Sequence, residues 1–464
     1  MKGSPFIRGT LFLTMSTMIS KMLGFVYVIP FTAMVGTSGY VLYTYAYRPY
    51  TIMLSIATMG LPLAVSKMVS KYNQLGDYHT VKRVLRSGVV FMICMGILSF
   101  LLLYMLAPML AALVIDNGDG TGNSVQAVTY NIQIVSFALL LVPVMSLLRG
   151  FFQGFQSMGP SAASVVVEQL FRVLTILIGT LAVIRIYKET TSMAVGVATF
   201  GAFIGAGAGI GVLLFFYMKR RPYLKMKEKT SIPAANVSFF KLYKELFTYS
   251  IPFVIVGLSI PMYQTADTFT INQLLMNIGY QQAEAEKVNA IIGLVQMIVL
   301  IPVSLATAFS MSLVPEMTKA FTAGNYELLY KHFTRTNLFV VMVTLPAALG
   351  MMLLAEPVYT LLFGVKNDPL LGGEVLRYYA SSCILFSLFS VTAAMLQGIN
   401  QQRKTVIGLL IGLTLKVILN GLLIPHFDYV GSIIATYCGY TFSVLFNLWL
   451  LYRHIGKYME NGKG

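Results

Sequence analysis

The sequence predicts an all-α polytopic membrane protein of twelve transmembrane helices, arranged as two parallel six-helix repeats. Three observations carry that fold class. First, 57% of the 464 residues are hydrophobic and only 11% charged, with a mean hydropathy of +0.75. Soluble domains hold about 45–50% and about 25%. Second, twelve apolar windows are each long enough for a span, which needs about 20 residues. Third, loop motifs recur between the two halves at a near-constant offset. This composition excludes a soluble enzyme, a disordered chain and a secreted disulfide scaffold. Cys94, Cys383 and Cys438 lie far apart in apolar runs with no CxxC spacing, and read as free thiols.

Span 1, Thr10–Val35, contains Lys21. It is too long for a signal-peptide core and no small-residue cleavage site follows it. Span 2, Tyr40–Val65, contains Arg48, whereas spans 3 and 4, Ser87–Ile115 and Thr121–Leu148, carry no charge. Span 5, Ala162–Ile184, holds Glu168 and Arg172. Span 6, Thr190–Met218, is charge-free, and its Gly205–Gly211 stretch reads as close helix packing rather than a phosphate loop. Span 7, Phe247–Leu274, contains Asp267 beside Gln264. Spans 8, 9 and 10 are the charge-free windows Val288–Pro315, Thr336–Ala355 and Tyr378–Gln402. Span 11, Thr405–Pro425, contains Lys416, and span 12 is Tyr429–Tyr452.

Twelve spans put both termini on one side, and the loops say which. Loops on the side of the termini hold 24 Lys and Arg, and the opposite loops hold five. Such an asymmetry marks the cytoplasmic side. The net charge of +16 is therefore mainly topology, so no nucleic-acid partner is implied. Basic stretches such as Lys219-Arg220-Arg221 are expected to touch anionic membrane lipids. The domain plan is a first lobe (1–218), a basic cytoplasmic linker (219–246), a second lobe (247–452) and a cytoplasmic tail (453–464).

The halves repeat. Lys71, Gly76, Asp77, Tyr78 and Arg83 recur as Lys319, Gly324, Asn325, Tyr326 and Lys331, all at an offset of 248 residues. Gln153-Gly154-Phe155-Gln156 recurs as Gln397-Gly398-Ile399-Asn400 at an offset of 244, which also sets Arg172 opposite Lys416. Parallel repeats of this kind place a substrate site between lobes near the bilayer midplane.

An ionised side chain at a helix centre costs about 2.5–3.5 kcal/mol on insertion scales. Lys21, Arg48, Arg172 and Lys416 must therefore face a wet cavity or find partners. Glu168 and Arg172, four residues apart, share a helix face and suit an intrahelical pair. Asp267 is expected to answer Arg48 or Lys21. Four cations against two carboxylates leave a cationic excess suited to a phosphate or pyrophosphate. No Walker loop, HExxH or GxSxG motif points to an enzyme, and the four histidines are dispersed. The candidate site is thus Lys21, Arg48, Arg172 and Lys416 for substrate, with Glu168, Asp267 and Gln264 as ion-pair or gating residues, and no metal.

Ser20-Lys21-Met22-Leu23-Gly24-Phe25, followed by Gly60-Leu61-Pro62, Lys71-x4-Gly76-Asp77-Tyr78 and Leu148-Arg149-Gly150-Phe151-Phe152-Gln153-Gly154, resembles the flippases of the MOP superfamily. The similarity covers essentially the whole chain and is greatest to the SpoVB/YtgP branch, related to the MurJ lipid II flippases. It implies a V-shaped pair of six-helix lobes working by alternating access. The implied cargo is an undecaprenyl-pyrophosphate-linked sugar, with lipid II for peptidoglycan the leading candidate and a cation at the Lys21 position holding the pyrophosphate. A second family arginine aligns with Tyr27. Many members carry two further C-terminal helices beyond the point where this sequence ends. The resemblance further implies a bacterial cytoplasmic membrane protein, monomeric, without a cofactor, coupled to membrane potential or an ion gradient. Competing readings are a flippase for capsule or teichoic-type oligosaccharide, a multidrug cation antiporter, and a membrane glycan polymerase.

Overall fold

The computed structural model describes residues 5–58, 60–115, 121–229, 231, 251–252 and 254–461. Most of the 219–246 linker and the end of the 453–464 tail lie outside the described residues. Among the described residues there are helices and turns but no strand. Long apolar stretches without water must satisfy every backbone N–H and C=O internally, and helices do so within one segment.

Nine helices among the described residues are long and apolar enough to cross a membrane, or ten if the bent pair Pro369–Tyr379 and Ser382–Gly398 is one span. Their outer faces remain apolar. Along Tyr78–Val114, Leu98, Leu101, Leu102, Met105, Met109 and Leu113 are all exposed. A greasy stripe of that extent is untenable in water and natural against lipid. The first predicted pair of spans joins into one stretch, Met15–Thr58, interrupted at Gly36 by a left-handed backbone (φ 68°). Beyond it come the short helix Leu61–Gln74 and then Tyr78–Val114.

The chain divides into two compact units: residues 1–113 with 123–254, and residues 114–122 with 255–464. In the first unit the Pro5–Val26 helix packs on Met158–Leu174, which in turn packs on Thr191–Lys229. Glycine permits that last approach. A Cβ on Gly205 would lie 2.7 Å from the Glu168 carbonyl oxygen. In the second unit Gln402–Phe427 packs along Tyr429–Asn461, where a Cβ on Gly412 would lie 2.5 Å from the Gly439 oxygen. Its buried core includes Met317, Leu329, Met395, Leu396 and Leu451.

The repeated motifs adopt the same turns in both units. Gly76 and Gly324 both take positive φ (73° and 65°), and each precedes a helix-starting side chain. Asp77 Oδ1 accepts from the Thr80 N–H and Asn325 Oδ1 from the Leu328 N–H, both at 2.9 Å. Gln156 and Asn400, paired by the second offset, are likewise both left-handed (57° and 60°). Such caps satisfy the free N–H groups at a helix start.

Candidate functional site

Each unit buries its own ionised cluster. In the first, Glu168 accepts from Arg172 Nη2 at 2.7 Å and from Arg149 Nη2 at 2.8 Å. The Glu168–Arg172 contact is the four-residue pair that the sequence suggested. Arg149, which follows the end of span 4 and so counts among the loop cations by sequence, lies within the Ala138–Gly154 helix with its side chain 17% exposed. Its guanidinium also donates to Ser164 Oγ at 2.9 Å, and Ser164 in turn donates to the Gly209 carbonyl at 3.1 Å. Arg149 directly follows the apolar window that ends at Leu148, at a place where loop and helix look alike in composition.

A second element was missed. Arg172 Nη1 donates to the Tyr47 hydroxyl at 3.3 Å. Tyr47 stacks on Tyr43 (centroids 5.2 Å, 14°), and the Tyr43 and Tyr27 hydroxyls are hydrogen-bonded at 3.1 Å. The Tyr43, Tyr47 and Tyr50 spacing puts the three phenols on one face of the Val28–Thr58 helix. Tyr27, where the resembled family carries an arginine, thus connects through tyrosines to Arg172. Beyond Arg172 the helix widens into two π-turns, Thr175–Gly179 and Val183–Tyr187, a distortion common near functional groups. Lys21 is exposed on the Pro5–Val26 helix, and no carboxylate among the described residues pairs with it. Arg48 is half-buried, close enough to Tyr40 for an electrostatic interaction.

In the second unit Lys416 is fully buried and donates to Asp267 Oδ1 at 2.6 Å and to Thr436 Oγ1 at 2.6 Å. Asn420 and Gln296 reach the same carboxylate at 3.4 Å, and Gln296 also donates to the Tyr379 hydroxyl at 3.2 Å. Asp267 therefore pairs within its own unit, not with Arg48 or Lys21. Burial of both partners explains why: an ammonium and a carboxylate out of water hold each other only at contact with further hydrogen bonds. Gln264, buried one turn before Asp267 on Ser259–Asn277, completes that face of the helix.

The charge balance is thus unequal. Lys416 is matched by Asp267, whereas Arg149 and Arg172 share one carboxylate. The cluster in the first unit thus holds two guanidiniums to one carboxylate. Its donors, guanidinium forks and phenols, are those that bind phosphate oxygens.

A helical multi-pass protein with apolar outer surfaces and ionised groups sequestered inside each helical unit has the organisation of a membrane transporter. Residues 6–321 match the polysaccharide biosynthesis protein family, and the chain belongs to that family. It is 44% identical over 455 residues to the lipid II flippase MurJ of Bacillus subtilis (strain 168), covering 98% of this chain and 84% of that one. It is 29% identical to the uncharacterized membrane protein YabM of the same organism, over 96% of this chain and 79% of the relative. Among solved structures, an inward-facing multidrug resistance MATE family transporter of the MOP superfamily superposes with a TM-score of 0.74 at 14% identity, covering 97% of this chain and 99% of that one. An inward closed lipid II flippase MurJ superposes with a TM-score of 0.67 at 15% identity, over 95% and 87%. These likenesses show that the chain shares the fold of those transporters.

Proposed function

We propose that this chain is a flippase that moves an undecaprenyl-pyrophosphate-linked cell-wall precursor, lipid II, across the bacterial cytoplasmic membrane by alternating access. The observation that carries this reading is the 44% identity, over 98% of the chain, to a protein named as a lipid II flippase. The site supports it. A pyrophosphate needs cations in excess of carboxylates: in the first unit Arg149 and Arg172 share one carboxylate, and Lys21 is exposed with no carboxylate partner among the described residues, with Arg48 on the neighbouring Val28–Thr58 helix. Lys416 joins them only in a state where Asp267 has let it go. Each charge-assisted contact contributes about 1.5–3 kcal/mol, so losing one weakens binding roughly ten- to a hundredfold.

Twelve crossings in two six-helix repeats belong to the same reading. The nine candidate spans become twelve when the Gly36 break divides the first and the bent pair crosses once. The remaining crossing is Ser259–Asn277, whose Gln264, Asp267 and Asn272 depress its hydropathy. The matched turns at Gly76 and Gly324 support the repeat, and the Lys/Arg asymmetry supports cytoplasmic termini. Lobes at 1–218 and 247–452, a monomeric state, contact with anionic lipids, and coupling to membrane potential or an ion gradient complete the proposal.

A multidrug cation antiporter shares the fold, but a cationic cluster repels its cargo. The test is complementation. Expressed in a strain depleted of its lipid II flippase, the chain should restore growth and normal wall precursor turnover. A chain present in the membrane at wild-type level that rescues capsule or teichoic-type export instead would refute the lipid II assignment.

A further inference from the structure

Where the Tyr78–Val114 and Thr191–Lys229 helices run past their apolar stretches, they enclose a cavity of about 160 Å³. At 1.5 Å per residue the second helix is about 58 Å long, against a hydrocarbon core of about 30 Å. Its Lys219–Lys229 end therefore projects into the interfacial zone. The cavity is lined by Lys82, Arg86, Arg221 and Lys225, with Glu228 as its one carboxylate, and by the rings of Tyr78, Phe151 and Tyr217. None of these residues belongs to the intramembrane clusters.

The walls are tied together. Lys82 Nζ binds both Glu228 oxygens at 2.7 and 2.8 Å, and Ser231 Oγ accepts from the Tyr78 N–H at 2.9 Å. Arg220 donates to Ser157 Oγ at 2.7 Å and sits over the Phe152 ring, while Phe151 meets Tyr217 edge-on. Glu228 is held chiefly by Lys82, with His79 3.5 Å away and Arg86 also facing it, so four cavity cations meet one carboxylate, and Arg86, Arg221 and Lys225, all exposed, carry the excess positive charge. One turn deeper into the membrane, on the same helix faces, stand exposed Val90 and Met218. Cations at the polar boundary directly above exposed apolar side chains match an amphiphile with an anionic head and a hydrocarbon tail.

We propose that this pocket binds the phosphate of an anionic membrane phospholipid from the cytoplasmic leaflet. Its phosphate sits among Arg86, Arg221 and Lys225, and its acyl chains lie along Val90 and Met218. Basic pockets between membrane helices on the cytoplasmic side bind such heads, at about 1 kcal/mol per cation. That is about fivefold per residue, and roughly a hundredfold for three. The proposal is independent of what the protein transports.

The test uses the purified full-length chain in detergent, with binding of phosphatidylglycerol, phosphatidylcholine and inorganic phosphate read by native mass spectrometry. Phosphatidylglycerol should be retained preferentially. Arg86→Gln/Arg221→Gln/Lys225→Gln should lose roughly a hundredfold, whereas the charge-matched Lys331→Gln/Arg335→Gln/Arg403→Gln should bind as wild type does. Glu228→Gln releases Lys82 and should tighten binding. Equal losses in the two triple variants would reduce the pocket to diffuse surface charge. Inorganic phosphate binding as tightly as phosphatidylglycerol would make it an ion site and overturn the lipid assignment. Flipping is not part of the readout, so this proposal and the lipid II reading fail separately.

Discussion

Replacing Asp267 by Asn removes one charge from a site where the other cannot reach water. Lys416 is fully buried, and after the change its ammonium keeps Thr436 and the Tyr263 ring, whose centroid is 5.9 Å away. Breaking a buried pair by removing one partner costs about 3–5 kcal/mol. For a unit of this size, about 2–4 °C per kcal/mol gives a fall in Tm of about 10 °C. The double variant Asp267→Asn/Lys416→Met removes the orphaned charge as well and should regain most of the loss, since well-packed apolar replacements of buried pairs are often neutral. Thermal unfolding of purified protein, followed by intrinsic fluorescence or size exclusion, reads both. Transport separates stability from function: if the pair must open during the cycle, the double variant folds well and still flips poorly. An Asp267→Asn protein with unchanged Tm, or a double variant less stable than either single, would refute this account of the pair.

Glu168→Gln should destabilise more than Arg172→Gln, because it leaves both Arg149 and Arg172 without their shared carboxylate; comparative unfolding checks the order. Glu168→Gln/Arg172→Gln should lose flipping relative to Glu168→Gln alone if Arg172 holds substrate, and equal rates would make Arg172 a structural partner only. At Asp368, which lies outside the spans, Lys287 Nζ 2.6 Å away and the Leu371 N–H hold the carboxyl below the ordinary aspartate range of about 3.9. Its stabilisation is therefore fully present above pH ~4 and disappears as pH falls through the lowered folded value. Lys287→Gln should flatten that part of a Tm-against-pH curve, and an unchanged curve would show that the contact is not kept in solution. In a background with Cys94, Cys383 and Cys438 replaced, a cysteine at Asn73 should resist an impermeant thiol reagent in intact cells while one at Lys188 reacts; the reverse pattern would invert the topology.

Membrane residence and the apolar spans were legible in the sequence because they depend on local properties. Hydropathy, charge-free length and Lys/Arg asymmetry act segment by segment, and the Gly76 and Gly324 turns need only a glycine where φ is positive. The Glu168–Arg172 pair was legible for the same reason, since four residues on one helix fix the distance. Which cation answers which carboxylate across helices was not. Lys416 and Asp267 are 149 residues apart, Arg149 and Glu168 lie on different helices, and the Tyr27–Tyr43–Tyr47 line exists only once two helices meet. Those partnerships decide how the buried charges are matched within each unit. They are set by packing, because burying an ionised group is tolerable only where tertiary contact brings its partner within hydrogen-bond reach.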